Sequence, residues 1–257
     1  MKNYQKKNIL FIIFGLFLNI SLTYSQNNST NASIENLFDK TIGNENLAIY
    51  NGPRYVNQYR SLDNTHCYFL SGNYISGILD YQNQTYNNVD LKYDIHNDIL
   101  VLKPIGKFDY LGINTIKQNI ISFKIYDKKF ININYNNPSC PDFMNGYYQE
   151  ILFSEAIALY IKHHKNRSTV IDHRSIADGI TNSTTDSFSE KNEFVLKYKN
   201  TFYQIASKND LIKIFPEYKN KIKNYYSNNY RLEESDNKVF IENLIKEISN
   251  LRATESN

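Results

Sequence analysis

The feature of this sequence that most constrains its fold is an alternation of apolar and charged residues from Val89 to Ile95. The apolar positions are Val89, Leu91, Tyr93 and Ile95, and the charged positions between them are Asp90, Lys92 and Asp94. Because successive side chains of a strand point to opposite faces, this segment is predicted to be a strand with one buried face. Asn97 and Asp98 favour a turn, and Ile99 to Leu102 is predicted to be the returning strand.

A short pattern recurs three times along the chain: a strand that ends in tyrosine, a polar turn, and a strand that opens on an aromatic residue. The three copies begin at Tyr81, Tyr126 and Tyr198. Such hairpins place aromatic pairs across the turn, which stabilises strand pairing by roughly 0.2–1 kcal/mol per pair. Residues 47–206 are therefore predicted to form a β-rich domain, in which an antiparallel sheet is built from successive hairpins as a meander or a partial barrel.

Two later parts of this β-rich region differ in character. Tyr147 to Phe153 and Ala156 to Ile161 are predicted to form a further hairpin, with a helix as the alternative. Residues 166–191 are rich in Ser, Thr, Asp and Asn and have little periodic apolar content. They are predicted to form a long exposed loop.

The C-terminal part changes to a helical period. An apolar stripe with helical spacing is formed by Phe240, Ile241, Leu244, Ile245, Ile248 and Leu251. Polar residues occupy the opposite face of that helix. Residues 207–257 are therefore predicted to be helices that pack on the sheet, with a membrane-surface or partner-binding helix as the alternative. The predicted fold class is α+β.

The N terminus has the form of a secretory signal peptide. Lysines precede an almost wholly apolar run from Ile9 to Ile20, and polar residues follow Ser25. The run is shorter than the roughly 20 apolar residues that a bilayer-spanning helix needs. We predict a signal peptide over residues 1–25, a polar tail with a short helix over residues 26–46, and no transmembrane span after the signal is removed.

The charge balance argues against nucleic acid as a partner. The chain has 29 Lys and Arg against 26 Asp and Glu, which gives a formal net charge of +3. Lys2, Lys6 and Lys7 lie in the predicted signal peptide, so the mature chain is formally neutral. A nucleic-acid-binding protein is expected to carry a basic surface, and export separates this chain from most nucleic acid.

The two cysteines of the chain are Cys67 and Cys140. Disulfides persist in exported proteins, and a bond between these residues would close a long loop, which entropy models value at roughly 4 kcal/mol. The sequence favours this disulfide over two unpaired thiols. The distance between the two residues decides between the alternatives.

Asp94, His96 and Asp98 alternate along the chain and have side chains of the types that bind metal ions. They would converge on a metal only if the strand continued straight. Because Asn97 and Asp98 favour a turn, a hairpin tip is the preferred interpretation, and we expect no metal and no other cofactor. The sequence also shows no catalytic motif on a recognisable scaffold, so no catalytic residue is predicted.

The most informative charge feature is local. Residues 191–232 are rich in Lys and Arg, poor in acids, and interleaved with tyrosines. Such a stretch is more often the solvated side of ordinary helices. The alternative is contact with an acidic envelope polymer, lipid headgroups or an acidic protein. The residues predicted to bind a partner are Lys197, Lys199, Lys219, Lys221 and Lys223.

Short strand and turn motifs follow one another in a distinctive order over about residues 47–251. They include Tyr50-Asn-Gly-Pro-Arg-Tyr55, His66-Cys-Tyr-Phe69, Gly77-Ile-Leu-Asp-Tyr81, Leu91-Lys-Tyr-Asp94, Asp98-Ile-Leu-Val101 and Gly146-Tyr-Tyr148. In this order they resemble a family of exported, uncharacterised proteins of Bacteroidota. The resemblance implies the envelope of a Gram-negative cell as the compartment, and it implies no catalytic residue.

Together these features lead us to expect an exported, non-enzymatic binding or accessory protein of the bacterial cell envelope. Its place would be the periplasm or the outer membrane, and its partner an unidentified protein or acidic polymer. The alternatives are a hydrolase-like envelope enzyme and a subunit of an outer-membrane assembly. A deep pocket that gathers His66, His96 or His173 with carboxylates would favour the enzyme, and a large exposed apolar patch would favour the assembly subunit.

Overall fold

The structure is a computed structural model that describes residues 47–61, 65–106, 111–135, 140–176 and 179–255. The predicted signal peptide of residues 1–25 and the polar tail with its short helix, residues 26–46, lie outside the described residues. The β-rich region and the C-terminal helices lie almost entirely within them.

The strands confirm the predicted antiparallel sheet built from hairpins. The first seven are β1 (Arg54–Tyr55), β2 (Ile75–Tyr81), β3 (Gln84–Asp94), β4 (Ile99–Leu102), β5 (Gly112–Asn114), β6 (Ile120–Ile125) and β7 (Lys128–Asn132). The others are β8 (Tyr147–Ser154), β9 (Ile157–Lys162), β10 (Lys165–Ile176), β11 (Gly179–Glu190), β12 (Glu193–Tyr198) and β13 (Thr201–Ile205). In the described ranges, eleven of these strands form one sheet in the order β1-β5-β4-β3-β2-β6-β7-β8-β9-β12-β13. β8 and β9 confirm the further hairpin, and every pairing in the sheet is antiparallel.

Three tight turns of the sheet coincide with the three recurring sequence patterns. Each turn places two consecutive residues at positive φ, and these are Gln82 and Asn83, Tyr126 and Asp127, and Lys199 and Asn200. Such two-residue turns match the right-handed twist of the paired strands. The aromatic residues that flank each turn are not cross-strand partners, however. Phe130 is opposite Phe123, and Phe202 is opposite Lys197.

The segment predicted to be a long exposed loop, residues 166–191, is instead an extended hairpin, so that prediction is wrong. β10 and β11 pair antiparallel over their whole length and form a separate two-stranded sheet. Ser and Thr in this segment gave a loop signal, but Thr is also a good strand residue because its branched side chain suits a pleated surface. Residues 166–169 are exposed, and a ribbon that extends outside the main sheet needs no alternating apolar face.

The main sheet is strongly curled. Tyr93 on β3 and Tyr147 on β8 are four strand positions apart, yet their ring centroids are separated by 5.8 Å. In a flat sheet the two strands would lie about 19 Å apart. An aromatic cluster fills the concave side, and its members are Phe69, Tyr93, Phe123, Phe130, Tyr147 and His163. β1 and β13 remain at opposite ends of the strand order, so the curled sheet is open. Runs of consecutive hairpins are joined by the non-consecutive pairs β1–β5, β2–β6 and β9–β12.

The C-terminal helices pack on one face of the sheet, as predicted. They are α1 (Lys208–Ile214), α2 (Lys219–Asn228), α3 (Tyr230–Ser235) and α4 (Asn237–Glu255). The stripe on α4 is buried from Phe240 to Ile248, and it packs against Leu159 of β9 and Leu196 of β12. Burial of each such side chain contributes roughly 1.5–3 kcal/mol. This layer therefore stabilises the end of the sheet that holds β9, β12 and β13.

Candidate functional site

A partly buried carboxylate is held by two lysines at the concave side of the sheet. Asp98 lies in the turn between β3 and β4, and its Oδ2 accepts hydrogen bonds from Lys117 Nζ at 2.5 Å and from Lys162 Nζ at 2.7 Å. The hydroxyl of Tyr93 donates to Oδ1 of the same carboxylate at 2.6 Å. These four residues form the Asp98 cluster. Lys162 ends β9, so the curl of the sheet brings the cluster together.

In the Asp98 cluster, the attraction of two ammonium groups outweighs the cost of burying the carboxylate. Burial by itself would raise the pKa of Asp98, but the positive charges of Lys162 and Lys117 outweigh it and hold that pKa below its ordinary value. Burial lowers the pKa of Lys162, and the charge of Asp98 opposes that effect. The carboxylate is therefore ionised near neutral pH and its lone pairs are occupied. This arrangement suits electrostatic binding and positioning, because no member is a free acid or base.

Gly146 makes room for the Asp98 cluster. Its φ is +82°, in the left-handed region that favours glycine. A Cβ at this position would lie 1.9 Å from Asp98 Oδ2, 2.7 Å from Lys162 Nζ and 2.8 Å from Lys117 Nζ. The backbone at Gly146 thus forms one wall of the cluster, and no other residue fits there without moving the charged groups.

The variant Gly146→Ala is expected to lower the free energy of unfolding by about 2–4 kcal/mol, because it adds backbone strain and separates buried charges. The matched control is Gly72→Ala, where an added Cβ would meet its nearest atom, in the Tyr68 ring, at an ordinary 3.6 Å. The control should change stability by less than about 0.5 kcal/mol. Denaturant-induced unfolding of both variants checks the difference, and equal stabilities would contradict it.

A polar cavity of about 290 Å³ lies beside the Asp98 cluster. Its lining residues are Lys117, Gln118, Asn132, Asn134, Tyr135 and Asn145. Asn132 Nδ2 donates to the carbonyl oxygens of Lys117 and Ile120 at 2.9 and 3.0 Å. Asn134 Oδ1 accepts the N–H of Gly146 at 2.8 Å. These two asparagines therefore build the cavity wall by tying its backbone segments together.

The other lining side chains are available to a ligand. Within the described ranges, the amides of Gln118 and Asn145 and the hydroxyl of Tyr135 have no hydrogen-bond partner in the protein. Lys117 has one carboxylate partner, and its amine also lies 5.0 Å from the centroid of the Tyr147 ring. Its side chain is 37% exposed. The cavity thus combines fixed amide walls with unpaired amide and hydroxyl groups and with Lys117, whose ammonium is paired with Asp98.

Sequence reasoning missed every residue of the polar cavity. Asn is abundant throughout the chain, so Asn132, Asn134 and Asn145 carry no local signal. Lys117 and Gln118 lie in a short 3₁₀ helix between β5 and β6, where no motif marks them. The only sequence feature that points here is the turn containing Asp98, which was considered as a metal ligand.

The three residues considered as metal ligands do not converge. Asp94 is fully buried, accepts the N–H groups of His96 and Asn97 on Oδ1, and accepts the hydroxyl of Tyr55 on Oδ2 at 3.0 Å. His96 Nδ1 lies 2.8 Å from the carbonyl oxygen of Lys165, and Asp98 belongs to its own cluster. Across the part of the chain that the structure describes, no three His, Cys, Asp or Glu residues are grouped to hold a metal ion. Asp94 therefore shapes a turn.

The predicted disulfide is absent, because both cysteines are free thiols. Cys67 is buried in a cluster with Tyr68 and Phe188. Cys140 is half-buried against a different cluster, where its Sγ lies 3.6 Å from the carbonyl oxygen of Met144. The two thiols thus have separate surroundings. Burial raises the pKa of the Cys67 thiol to about 12, which makes it a poor nucleophile.

Thiol labelling of the native protein is expected to modify Cys140 and to spare Cys67. Cys140 is partly exposed, whereas Cys67 is 1% exposed. Mass spectrometry after treatment with iodoacetamide should find one label on the folded chain and a second only after unfolding without reductant. The variant Cys140→Ser should remove the first label. If the denatured, unreduced chain takes no label, the two cysteines are joined by a disulfide and this prediction is wrong.

The five lysines predicted to bind a partner do not form one surface. Val195 packs on the face of β12 away from the helices, and the period-two rule places Lys197 on that same face. Lys199 lies in the β12–β13 turn. On α2, Lys219 and Lys223 are one turn apart and share a flank, while Lys221 lies half a turn away. Their role in binding stays a prediction.

Comparisons with known proteins found no match: no family model, no curated protein and no solved structure resembles this chain. Among the described residues, no helix has both the length and the apolar character that a membrane crossing requires. Function is therefore argued from the geometry of the polar cavity.

Proposed function

We propose that this chain is an exported, non-enzymatic binding or accessory protein of the bacterial cell envelope, and that the polar cavity is its ligand site. The observation that carries the proposal is a cavity whose unpaired groups are amides and a phenol, lined also by Lys117, whose ammonium pairs with Asp98. Such groups recognise a ligand by hydrogen bonds and charge. The sequence features of the N terminus support export.

The placement of His66 and His96 gives no support to the alternative of an envelope hydrolase, and the side chain of His173 lies outside the described part of the structure. His66 Nδ1 accepts the N–H of Tyr68 at 3.2 Å, and the ring of His96 packs with Tyr59 and Phe188. Neither histidine is joined to a carboxylate in a pocket. General acid–base catalysis needs such a group within hydrogen-bond reach of the substrate. Binding is therefore the function that the described site supports best.

The proposal is tested by producing the full chain in a Gram-negative host with a C-terminal tag. We expect the mature protein to start at Gln26 and to fractionate with the envelope. The purified mature protein should retain envelope polymers on a column without releasing fragments from them. Asn145→Ala should weaken retention, and Asn220→Ala, which changes an exposed amide on α2, should not.

Two results would overturn the proposed function. One is a full-length chain that remains in the cytoplasm with residues 1–25 intact. The other is turnover of an envelope polymer that depends on residues of the described chain, which would establish the hydrolase. Retention without turnover supports the binding protein.

A further inference from the structure

The unpaired groups of the polar cavity match a ligand that is rich in hydroxyls. Each free amide, on Gln118 and on Asn145, offers two N–H donors and one oxygen acceptor, and the Tyr135 hydroxyl both donates and accepts. A sugar hydroxyl likewise donates and accepts, so each can pair with several of these groups. None of the lining residues has a purely hydrocarbon side chain, and an apolar ligand would leave their polar groups unpaired.

The charge beside the cavity favours an anion. One carboxylate, Asp98, is shared by the ammonium groups of Lys117 and Lys162, which leaves an excess of positive charge. Glu193 is the cross-strand neighbour of Lys162 and acts on the amine of that lysine. Of the two lysines, Lys117 lines the cavity and is therefore the cation that a ligand there can reach. Charge-assisted hydrogen bonds are roughly twice as strong as neutral ones.

The amine of Lys117 is at the cavity wall. It would lie 2.8 Å from a Cβ at Gly146, the residue that follows the lining residue Asn145. Lys162 Nζ also donates to the carbonyl oxygen of Asn145 at 2.9 Å. A ligand carboxylate seated next to Asn145 would therefore meet the ammonium of Lys117, whose side chain is 37% exposed, and could accept the N–H donors that Asp98 leaves free.

We infer that the polar cavity binds one acidic sugar unit of a saccharide. The inference rests on the proposed binding function and names the ligand class. The volume of about 290 Å³ is at the lower end for small-molecule sites, which fits one ring with its substituents. An acidic peptide is the competing ligand, since it carries the same charge, but it lacks the hydroxyls that the amide and phenol groups need.

The experiment measures binding of three probes to the purified mature chain by titration calorimetry: a trimer of galacturonic acid, the matching trimer of galactose, and triglutamate. We expect the acidic sugar to bind at least about tenfold more tightly than either of the others at low salt. Raising the salt to physiological strength should weaken binding of the acidic sugar and leave binding of the neutral sugar unchanged.

Matched variants separate charge recognition from hydroxyl recognition. Lys117→Gln leaves Asp98 paired with Lys162 and should abolish the preference for the acidic sugar. Lys246→Gln makes the same charge change at an exposed position of α4 and should keep that preference. Asn145→Ala should weaken the binding of both sugars, and Asn220→Ala should weaken the binding of neither. If Lys117→Gln fails to fold, the salt dependence of the unmodified chain decides the question.

Equal binding of the acidic and neutral sugars, or triglutamate binding as tightly as the acidic sugar, would overturn this inference. Failure of all three probes would overturn it as well. Envelope retention and the identity of the retained polymer are measured separately, so the wider proposal of a binding protein can stand or fall on its own.

Discussion

Asp98→Asn is expected to lower the free energy of unfolding by about 3 kcal/mol. The substitution removes the charge shared by Lys117 and Lys162 and leaves the ammonium of Lys162, whose side chain is 15% exposed, without its hydrogen-bonded counter-ion. Removing one partner of a buried ion pair is costly because the remaining charge stays desolvated. Asn accepts the left-handed backbone that Asp98 adopts at φ 57°, so the loss reports on charge. Chemical denaturation at neutral pH measures it.

The chain contains a matched control for this prediction. Asp127 also occupies a hairpin turn at positive φ, 60°, and pairs with Lys124 at 3.4 Å, but its side chain is 97% exposed. Asp127→Asn should change stability by less than about 0.5 kcal/mol. Combining Asp98→Asn with Lys162→Met should recover part of the loss, since the unpaired ammonium is then gone. A single variant as stable as the Asp127 control would refute the prediction.

His163 is expected to make stability fall as the pH decreases below about 6.5. It is buried, its Nε2 hydrogen-bonds Gln149 Oε1 at 2.8 Å, and its ring lies 4.7 Å from that of Phe69. Burial, together with the charge of Lys238, lowers the pKa of His163 to about 3. Between these pH values the unfolded chain binds a proton that the folded chain excludes. The free energy of unfolding should therefore drop by about 3 kcal/mol between pH 7 and pH 4.5.

The variant His163→Gln should flatten this pH dependence while keeping an amide near Gln149. The adjacent His164 is half-buried, and His164→Gln should leave the slope as it is. The comparison uses the slope, because either substitution also changes packing and hence the absolute stability. Denaturation of the three proteins across the range measures it. The same steep slope in His163→Gln would assign the acid sensitivity to other groups.

Local sequence patterns predicted the secondary structure where burial follows the period of the strand. Along β3 the alternate residues Val89, Leu91 and Tyr93 are buried, as is Ile95 directly after the strand, as the alternation indicated. Asp94 departs from it: the pattern assigns Asp94 to the exposed face, but it is fully buried because Tyr55 of β1 covers it with a hydrogen bond. A residue contributed by a segment 39 positions away leaves no trace in the local period.

The sequence by itself determined the α+β class, the hairpin turns and the helix stripe, because hydrophobic periodicity and turn chemistry act between near neighbours in the chain. The polar cavity, the Asp98 cluster and the separation of Cys67 from Cys140 were decided by the tertiary structure. The residues of the cavity and of the Asp98 cluster come from turns and strand ends far apart in sequence. These residues meet because the sheet curls and aromatic side chains pack across several of its strands. Cys67 and Cys140 stay apart because each packs in a different cluster.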